Sequence, residues 1–262
     1  MPININKLYI KKQKQEKISA LTCYDASFAY WFNEAKIDVL LVGDTLGEII
    51  QGHKTTIPVS VDDIVYHTTI VSKNLTHSFL ISDLPFLQHA TFEKTVAAVE
   101  KIMQAGACMI KIEGDSWLAP TIEKLSTLGI PVCAHLGFTP QSIHSFGSAK
   151  IIGKENSQAK ILINDAKKLV DAGAKLLIVE CIPDELTKKL SEILPCPVIG
   201  IGSGPYADGQ ILVSYDMLGI TPNMPPIAKC FLTAQHNTIL AATLEYKTQV
   251  ESTKFPQPRK IT

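Results

Sequence analysis

Four acidic side chains lie at the carboxyl ends of apolar stretches of the chain, and a lysine and a histidine lie at the same ends. The acids are Asp44, Asp83, Glu113 and Glu180, and the two bases are Lys111 and His135. Apolar runs of this length are typical of parallel strands that are buried on both faces. Groups at the carboxyl ends of such strands converge on one edge of a sheet or one mouth of a barrel. We therefore expect these six side chains to form one site.

The proposed chemistry of this site begins with a divalent cation, because four carboxylates in one mouth repel each other unless positive charge lies among them. Oxygen ligands without a thiolate favour Mg²⁺ over Zn²⁺, and one or two carboxylates such as Asp44 and Asp83 are sufficient for Mg²⁺. The ion would polarise the keto oxygen of a 2-oxo acid. Glu180 would then remove the proton next to that carbonyl, and Lys111 would offset the negative charge of the substrate.

Several of these residues also have a structural interpretation. Lys111 and Glu113 lie on the same side of one strand and can pair with each other. His135 can be a hydrogen-bonded structural histidine, and Trp31 and Trp117 are interpreted as packing residues.

Other acids and glycines are interpreted as local structure. We favour helix capping for Asp25, Asp62, Asp63 and Asp184. The glycine-rich turn 200–204 follows an apolar run where many barrels bind phosphate, but a simple turn explains it equally well.

The elements that position these residues alternate between strands and helices. Predicted strands cover 18–24, 39–42, 78–83, 109–113, 131–135, 176–180, 197–202 and 217–220. Predicted helices cover 26–35, 62–74, a segment capped by Thr91, 117–128, a segment from a cap at Asn156 or Ser157 to 173, a segment capped by Asp184, 210–213 and 229–251. Eight strand–helix units in about 250 residues are typical of a (β/α)₈ TIM barrel, an α/β fold. A doubly wound open sheet is the alternative, but no GxGxxG motif follows the first strand.

The barrel is expected to be a single domain over residues 18–251. A solvated lead-in, residues 1–17, would precede it, and a polar, frayed tail, residues 252–262, would follow it. The polar loop 51–58 suits an active-site loop.

Composition limits the class of protein. The formal net charge is zero, and no basic stripe predicts nucleic-acid binding. No apolar run reaches the length of about 20 residues that a membrane helix needs, and the N-terminus has no apolar signal core. We therefore expect a cytoplasmic protein without a membrane partner. The six cysteines show no CxxC spacing, which favours buried free thiols.

An ordered set of short motifs resembles one enzyme family. The motifs are Val42–Gly47, Gln51–His53 with Thr56–Val59, Asp83–Phe86, Lys111–Gly114, His135–Gly137, Thr139–Ser142, Glu180–Cys181, Ile199–Gly202 and Asp208–Gln210. In this order, over about residues 18–245, they resemble the 3-methyl-2-oxobutanoate hydroxymethyltransferase family, also called ketopantoate hydroxymethyltransferase. Single motifs are weak, whereas the ordered set is specific.

The resemblance implies a (β/α)₈ barrel that assembles as a homodecamer of two pentameric rings. It implies transfer of a one-carbon unit from 5,10-methylenetetrahydrofolate to 3-methyl-2-oxobutanoate through a Mg-stabilised enolate. The products are 2-dehydropantoate and tetrahydrofolate, and the reaction is the first committed step toward pantothenate and coenzyme A.

The resemblance also implies roles for individual residues. Asp44 and Asp83 would hold Mg²⁺ with Glu113 in the same metal site, and Glu180 would be the proton acceptor. The substrate would be bound by Asp44, Thr45, Asp83, Lys111 and His135.

The sequence departs from the family pattern at a few positions. Thr45 stands where serine is common, and Ala134 replaces a usual glycine. Ser148–Ala149 and Met224–Ile227 also differ. Two other functions stay open: a different Mg²⁺-dependent 2-oxo acid enzyme, such as an aldolase or a relative of phosphoenolpyruvate mutase, and a barrel that has lost activity and serves as a subunit or binding protein.

Overall fold

Eight parallel strands close into a barrel in the computed structural model, which describes residues 2–73 and 75–258. The strands are β1 Ile18–Thr22, β2 Val39–Val42, β3 Phe79–Asp83, β4 Met109–Glu113, β5 Val132–Gly137, β6 Leu176–Glu180, β7 Val198–Ile201 and β8 Gly209–Leu212. They pair in chain order, and β8 returns to β1. The predicted single-domain (β/α)₈ barrel is therefore confirmed, and the open sheet is wrong.

Helices surround the barrel and connect most of its strands. They are α1 Ile5–Gln13, α2 Ala26–Glu34, α3 Leu46–Ile49, α4 Val61–Ser72, α5 Phe92–Gln104, α6 Ala119–Thr127, α7 Ile143–Phe146, α8 Asn156–Asp171, α9 Asp184–Ile193, α10 Ser214–Met217 and α11 Ile239–Glu251. Short 3₁₀ turns cover Ser116–Leu118 and Pro140–Ser142. Among the described residues, no helix is long and apolar enough to cross a membrane.

The strands are apolar on both faces because each face meets a different core. Side chains such as Ile81, Met109 and Ile178 point into the barrel, whereas Leu80 and Ile110 point toward the helices. Successive strand residues alternate between these two faces. A polar residue two positions beyond an inward apolar one therefore also faces the barrel axis.

Helix α1 packs against the end of the barrel where the strands begin. Leu8 is fully buried in the interior core. Lys11 pairs with Asp38 at 2.6 Å and Lys12 pairs with Asp208 at 2.6 Å, and these acids directly precede β2 and β8. The prediction that this basic run is solvated is wrong for both lysines. The opposite end of the barrel, where the strands finish, is left free for a site.

The predicted end of the barrel was wrong. Residues 210–213, predicted as a helix, lie largely in β8, and residues 217–220, predicted as a strand, begin at the last residue of α10 and continue beyond it. A Cβ on Gly209 would lie 2.3 Å from the backbone oxygen of Ile18, so glycine allows β8 to approach β1. Met217 and Leu218 are apolar because they are buried outside the barrel.

Some helix boundaries also differ from the predictions. Helix α11 begins after its cap Thr238, whereas the prediction began it at 229. Asn74, the predicted end of α4, lies outside the described residues. In the tail, Phe255 is buried against Phe231 and Tyr246, so the described part of the tail is not frayed. Residues 259–262 lie outside the described part.

The capping predictions were partly right. Asp25 caps α2 and Thr91 caps α5, as predicted. Ser60, not an aspartate, caps α4, and Asp63 completes a capping box with it.

Two further caps were predicted wrongly. Asp184 is the first residue of α9, where Pro183 holds the cap position. Helix α8 follows Glu155 and has no side-chain cap from Asn156 or Ser157.

The cysteines are all free, as predicted, but not all are buried. Cys23, Cys133 and Cys196 are buried, Cys108 is exposed, and Cys181 and Cys230 are partly exposed.

Replacement of Asp38 by alanine is expected to destabilise the protein. Asp38 is buried and accepts hydrogen bonds from Lys11 Nζ, from the backbone N–H of Ser19 and from the Ser19 hydroxyl. Asp38→Ala leaves the Ser19 donors without these bonds and Lys11 Nζ with only the Lys17 carbonyl, so we expect the free energy of unfolding in urea to fall by roughly 2–3 kcal/mol.

The matched control is Asp62→Ala. Asp62 pairs with Lys101 at 3.6 Å, but its side chain is 85% exposed. An exposed ion pair contributes between about 0 and 1 kcal/mol, so this variant should stay close to the wild type. Equal effects of the two substitutions would contradict the role given to Asp38.

Candidate active site

The carboxyl ends of five consecutive strands bring the predicted site residues together. Asp83 and Glu180 end β3 and β6, His135 lies on β5, and Asp44 follows β2. Lys111 and Glu113 both lie on β4. Together with Thr45, these six side chains line one cavity. We call it the acid cavity.

On each strand, alternate side chains face the barrel axis, and this explains why the polar side chains converge. Ile81 is followed two positions later by Asp83, Met109 by Lys111, and Ile178 by Glu180. The apolar members fill the barrel, and the polar members form the floor of the acid cavity. Register places Asp83 beside Lys111 on the neighbouring strand and Glu113 beside His135.

Lys111 lies at the centre of the cavity floor. Its ammonium donates to Asp83 Oδ1 at 2.8 Å and to Glu113 Oε1 at 3.3 Å, and its side chain is only 5% exposed. Burial alone would lower the pKa of Lys111, but the charges of Asp83, Glu113 and Asp44 outweigh burial and raise it. Lys111 is therefore a permanent cation. The pairing with Glu113 that the sequence allowed is present, and Asp83 shares it.

Glu113 accepts hydrogen bonds at both oxygens. Oε1 lies 3.2 Å from His135 Nδ1 in addition to Lys111, and Oε2 accepts from the backbone N–H of Gln141 at 3.0 Å. Burial would raise the pKa of Glu113, but Lys111 and His135 lower it to about 2. Glu113 is therefore an ionised carboxylate whose oxygens already contact protein donors.

His135 lies between two glutamates. Nδ1 contacts Glu113, and Nε2 lies 3.3 Å from Glu180 Oε2. Burial and Lys111 would lower the pKa of His135, but its contacts with Glu113 and Glu180 raise it to about 9. The imidazole is therefore protonated at neutral pH, and it carries positive charge to the edge of Glu180.

Asp44 lies at the other end of the cavity floor. Its backbone N–H donates to Asp83 Oδ2 at 2.9 Å, and its Oδ2 accepts from Gln141 Nε2 at 2.8 Å. Burial, then the charges of Asp83 and Glu113, raise the pKa of Asp44 well above its ordinary value, and Lys111 and Gln141 offset only part of this. The cost of burying the Asp44 carboxylate beside other acids is therefore only partly offset by Lys111 and Gln141.

This charge distribution tests whether the residues fit a divalent cation. Four carboxylates and two cations leave two negative charges when all six groups are ionised. In the described part of the chain, no group of three His, Cys, Asp or Glu side chains forms a ready-made metal cluster. Zn²⁺ generally needs three or four protein ligands, whereas Mg²⁺ takes one or two carboxylates and fills its other positions with water and substrate. The donor set fits Mg²⁺ held by Asp44 and Asp83.

Two residues that the sequence analysis gave no role also belong to the site. Gln141 is buried, and its amide nitrogen donates to Asp44 and to the Leu84 carbonyl. The Tyr24 hydroxyl lies 2.6 Å from Thr45 Oγ1 and orients it. Tyr24 follows the first strand, so the strand-end rule that identified the acids applies to it as well. For Gln141 the sequence signals are its place in the polar loop after β5 and in the motif Thr139–Ser142.

Two predicted features give the cavity no polar group, and of the turn 200–204 only Ile201 lines it. No residue of the loop 51–58 lines it. The glycine-rich turn after β7 is occupied by protein: a Cβ on Gly204 would lie 2.2 Å from the Asp184 carboxyl carbon. A carboxylate in this place opposes phosphate, so the simple turn is the better interpretation.

The fold resembles solved enzymes at low sequence identity. A crystal structure of 2,3-dimethylmalate lyase, described as a member of the PEP mutase/isocitrate lyase superfamily, superposes with a TM-score of 0.58 and 13% identity. The match covers 97% of this chain and 100% of that one. This likeness concerns the fold alone.

Sequence relatives are much closer. The chain is 49% identical over 257 residues to a 3-methyl-2-oxobutanoate hydroxymethyltransferase of Alteromonas mediterranea, covering 98% of this chain and 97% of the relative. It is 47% identical over 257 residues to 3-methyl-2-oxobutanoate hydroxymethyltransferase 2 of Hahella chejuensis, with the same coverage. The family described as ketopantoate hydroxymethyltransferase matches residues 2–258. With nearly half of its residues shared and the expected acids and bases gathered at one barrel mouth, the chain belongs to the ketopantoate hydroxymethyltransferase family.

Proposed function

We propose that this protein transfers a hydroxymethyl group from 5,10-methylenetetrahydrofolate to 3-methyl-2-oxobutanoate. The products are 2-dehydropantoate and tetrahydrofolate, and the reaction serves pantothenate and coenzyme A biosynthesis. The observation that carries the proposal is the acid cavity, in which a protonated lysine and histidine alternate with carboxylates. Membership of the family supplies the identity of the substrate.

The proposed Mg²⁺ ligands are Asp44 and Asp83. When bound, the ion supplies Lewis acidity to the keto oxygen of a 2-oxo acid. Lys111 holds Asp83 in place through Oδ1, and Gln141 holds Asp44 through Oδ2. Glu113 adds a third negative charge to the proposed metal site, although its oxygens accept hydrogen bonds from Lys111, His135 and Gln141.

Glu180 is the proposed base. Its side chain is 14% exposed at the wall of the acid cavity, and its Oε2 lies 3.3 Å from Nε2 of the positive His135. The C3–H bond of the substrate breaks, its proton passes to Glu180, and Lys111 offsets the negative charge that develops on the substrate. The new C3–carbon bond forms to the one-carbon unit as one of the two C–N bonds that hold this unit on folate breaks, and the freed nitrogen takes the proton from Glu180. One water is consumed and supplies the hydroxyl oxygen as tetrahydrofolate leaves.

Thr45 completes the proposed substrate site. Its hydroxyl lies at the cavity wall and is held by Tyr24, so it can hydrogen-bond a substrate carboxylate. Residues 18–251 form the proposed catalytic domain. A cytoplasmic homodecamer is part of the same proposal and is supported by the family resemblance of the sequence.

Substitution of Glu180 by glutamine is expected to abolish removal of the C3 proton. Proton NMR of 3-methyl-2-oxobutanoate in D₂O with Mg²⁺ measures this step directly, as loss of the C3 proton signal without any folate. Because general-base catalysis contributes about 10²–10⁴-fold, we expect the exchange rate of Glu180→Gln to fall by that factor.

The matched control is Glu185→Gln, which changes the same chemical group on the exposed side of α9. It should exchange at the wild-type rate. Near-normal exchange by Glu180→Gln would refute the base assignment. If the wild type forms 2-dehydropantoate only after 5,10-methylenetetrahydrofolate is added, the other 2-oxo acid activities are excluded.

Substitution of Asp83 by asparagine is expected to weaken Mg²⁺ binding, because it removes an anionic ligand and the partner of Lys111. The Mg²⁺ concentration that gives half-maximal C3 exchange should rise by at least about tenfold. Asp171→Asn, at the exposed end of α8, is the control and should leave that concentration unchanged. An unaltered Mg²⁺ dependence of Asp83→Asn would exclude this residue as a ligand.

A further inference from the structure

A second cavity of about 210 Å³ lies next to the acid cavity, between the loops that follow β3, β4 and β5. We call it the side cavity. Its lining includes Phe86, His89, Glu113, Asp115, Trp117 and Gln141. Glu113 also lines the acid cavity, so the two cavities share a wall. None of the chemistry described so far uses the side cavity.

The side cavity presents an aromatic face. Trp117 lies with its ring centre 5.3 Å from that of His89, at an angle of 42° between the planes. Trp117 is 53% exposed, although indole is among the largest apolar side chains. Trp117 was predicted to be a packing residue, and its exposure at a cavity wall is contrary to that prediction. An aromatic face of this kind suits a flat ring.

The wall of the side cavity also holds an acceptor without a donor. The amide nitrogen of Gln141 is engaged by Asp44 and Leu84, which fixes the orientation of the amide. Its Oε1 atom is buried and has no hydrogen-bond partner. A buried acceptor without a donor costs about 1–3 kcal/mol, which a ligand N–H would recover.

The remaining polar groups of the side cavity favour an uncharged ligand with donors. Asp115 uses Oδ1 to accept from the Trp117 backbone N–H, which leaves Oδ2 for a ligand. Burial lowers the pKa of His89, so this imidazole is neutral at pH 7. No lysine or arginine is among the described residues that line the cavity, whereas Asp115 and Glu113 are acidic. A phosphate or carboxylate group would therefore be repelled.

We propose that the side cavity binds the pterin ring of the folate co-substrate; this inference rests on the proposed function. A pterin is flat and uncharged, and one edge carries an amino group and a ring N–H. Trp117 provides the stacking face, and Gln141 Oε1 and the Asp115 carboxylate accept from the donor edge. The charged glutamate end of folate extends away from the cavity. The shared wall places the ring next to the acid cavity, where the one-carbon unit is transferred.

The two tryptophans of the chain allow a direct test. Trp31→Phe leaves Trp117 as the only tryptophan, and Trp117→Phe leaves Trp31 on α2 as the matched control. Each full-length protein is titrated with the stable folate 5-formyltetrahydrofolate in the presence of Mg²⁺ and 3-methyl-2-oxobutanoate. We expect saturable quenching of Trp117 fluorescence, after correction for ligand absorbance, and no saturable change in the Trp31 signal.

Affinity provides the second measurement. Calorimetry should show that Trp117→Ala binds 5-formyltetrahydrofolate about tenfold more weakly than the wild type, the loss expected for one stacked ring. Asp115→Asn should also weaken binding, because an amide is a poorer acceptor for the amino edge. Trp31→Ala should bind like the wild type. Wild-type affinity in Trp117→Ala, or binding without any change in Trp117 fluorescence, would overturn the proposal.

A different measurement tests the proposed function. C3 exchange of 3-methyl-2-oxobutanoate in D₂O needs no folate, so its absence from the wild type would refute the enolisation and leave the binding result intact. Normal exchange and normal transfer, with folate bound elsewhere, would refute only the side cavity.

Discussion

One buried ammonium group organises the site. Lys111 joins Asp83 to Glu113, and both acids lie almost entirely out of water. Isolated charges at this depth would lose several kcal/mol of hydration energy each, so the arrangement depends on close pairing. The Lys111 charge keeps Glu113 ionised, and Glu113 in turn helps to keep His135 protonated. Removal of the ammonium would leave adjacent carboxylates without compensation, and the charge pattern of the whole cavity would change.

The charged groups form a chain with two unsatisfied ends. From Lys111 it runs through Asp83 to Asp44 in one direction, and through Glu113 and His135 to Glu180 in the other. At the first end burial and neighbouring acids raise the pKa of Asp44, and a divalent cation is proposed there. At the second end a carboxylate faces the cavity beside a protonated imidazole. The proposed metal and the proposed base therefore lie at opposite ends of one network, and the proposed mechanism places the substrate carbonyl and its C3 proton between them.

The parts of this site that follow from strand periodicity could be predicted, and the parts that follow from loops could not. The bounds of β4 and β6 were predicted correctly because each apolar run ends at an acid and the side chains alternate. Strand β8 was missed because glycine and glutamine begin it and only the contact of Gly209 with β1 makes that sequence a strand. The role of Gln141 depends on the path of the loop after β5, which no local pattern encodes. The contact between Lys111 and Asp83 depends on the register between two strands, which only the closed barrel determines.

Four of the positions that depart from the family pattern are explained by where their side chains lie. Ala134 faces the helices, because its neighbour His135 faces the cavity, so the extra methyl group relative to glycine does not enter the site. Thr45 keeps the hydroxyl of serine, and its contact with Tyr24 fixes where that hydroxyl points. Ser148 and Ala149 lie in an exposed loop and line neither cavity. Strand ends hold the acid–base chemistry, and none of these departures changes an ionisable side chain of the charge network.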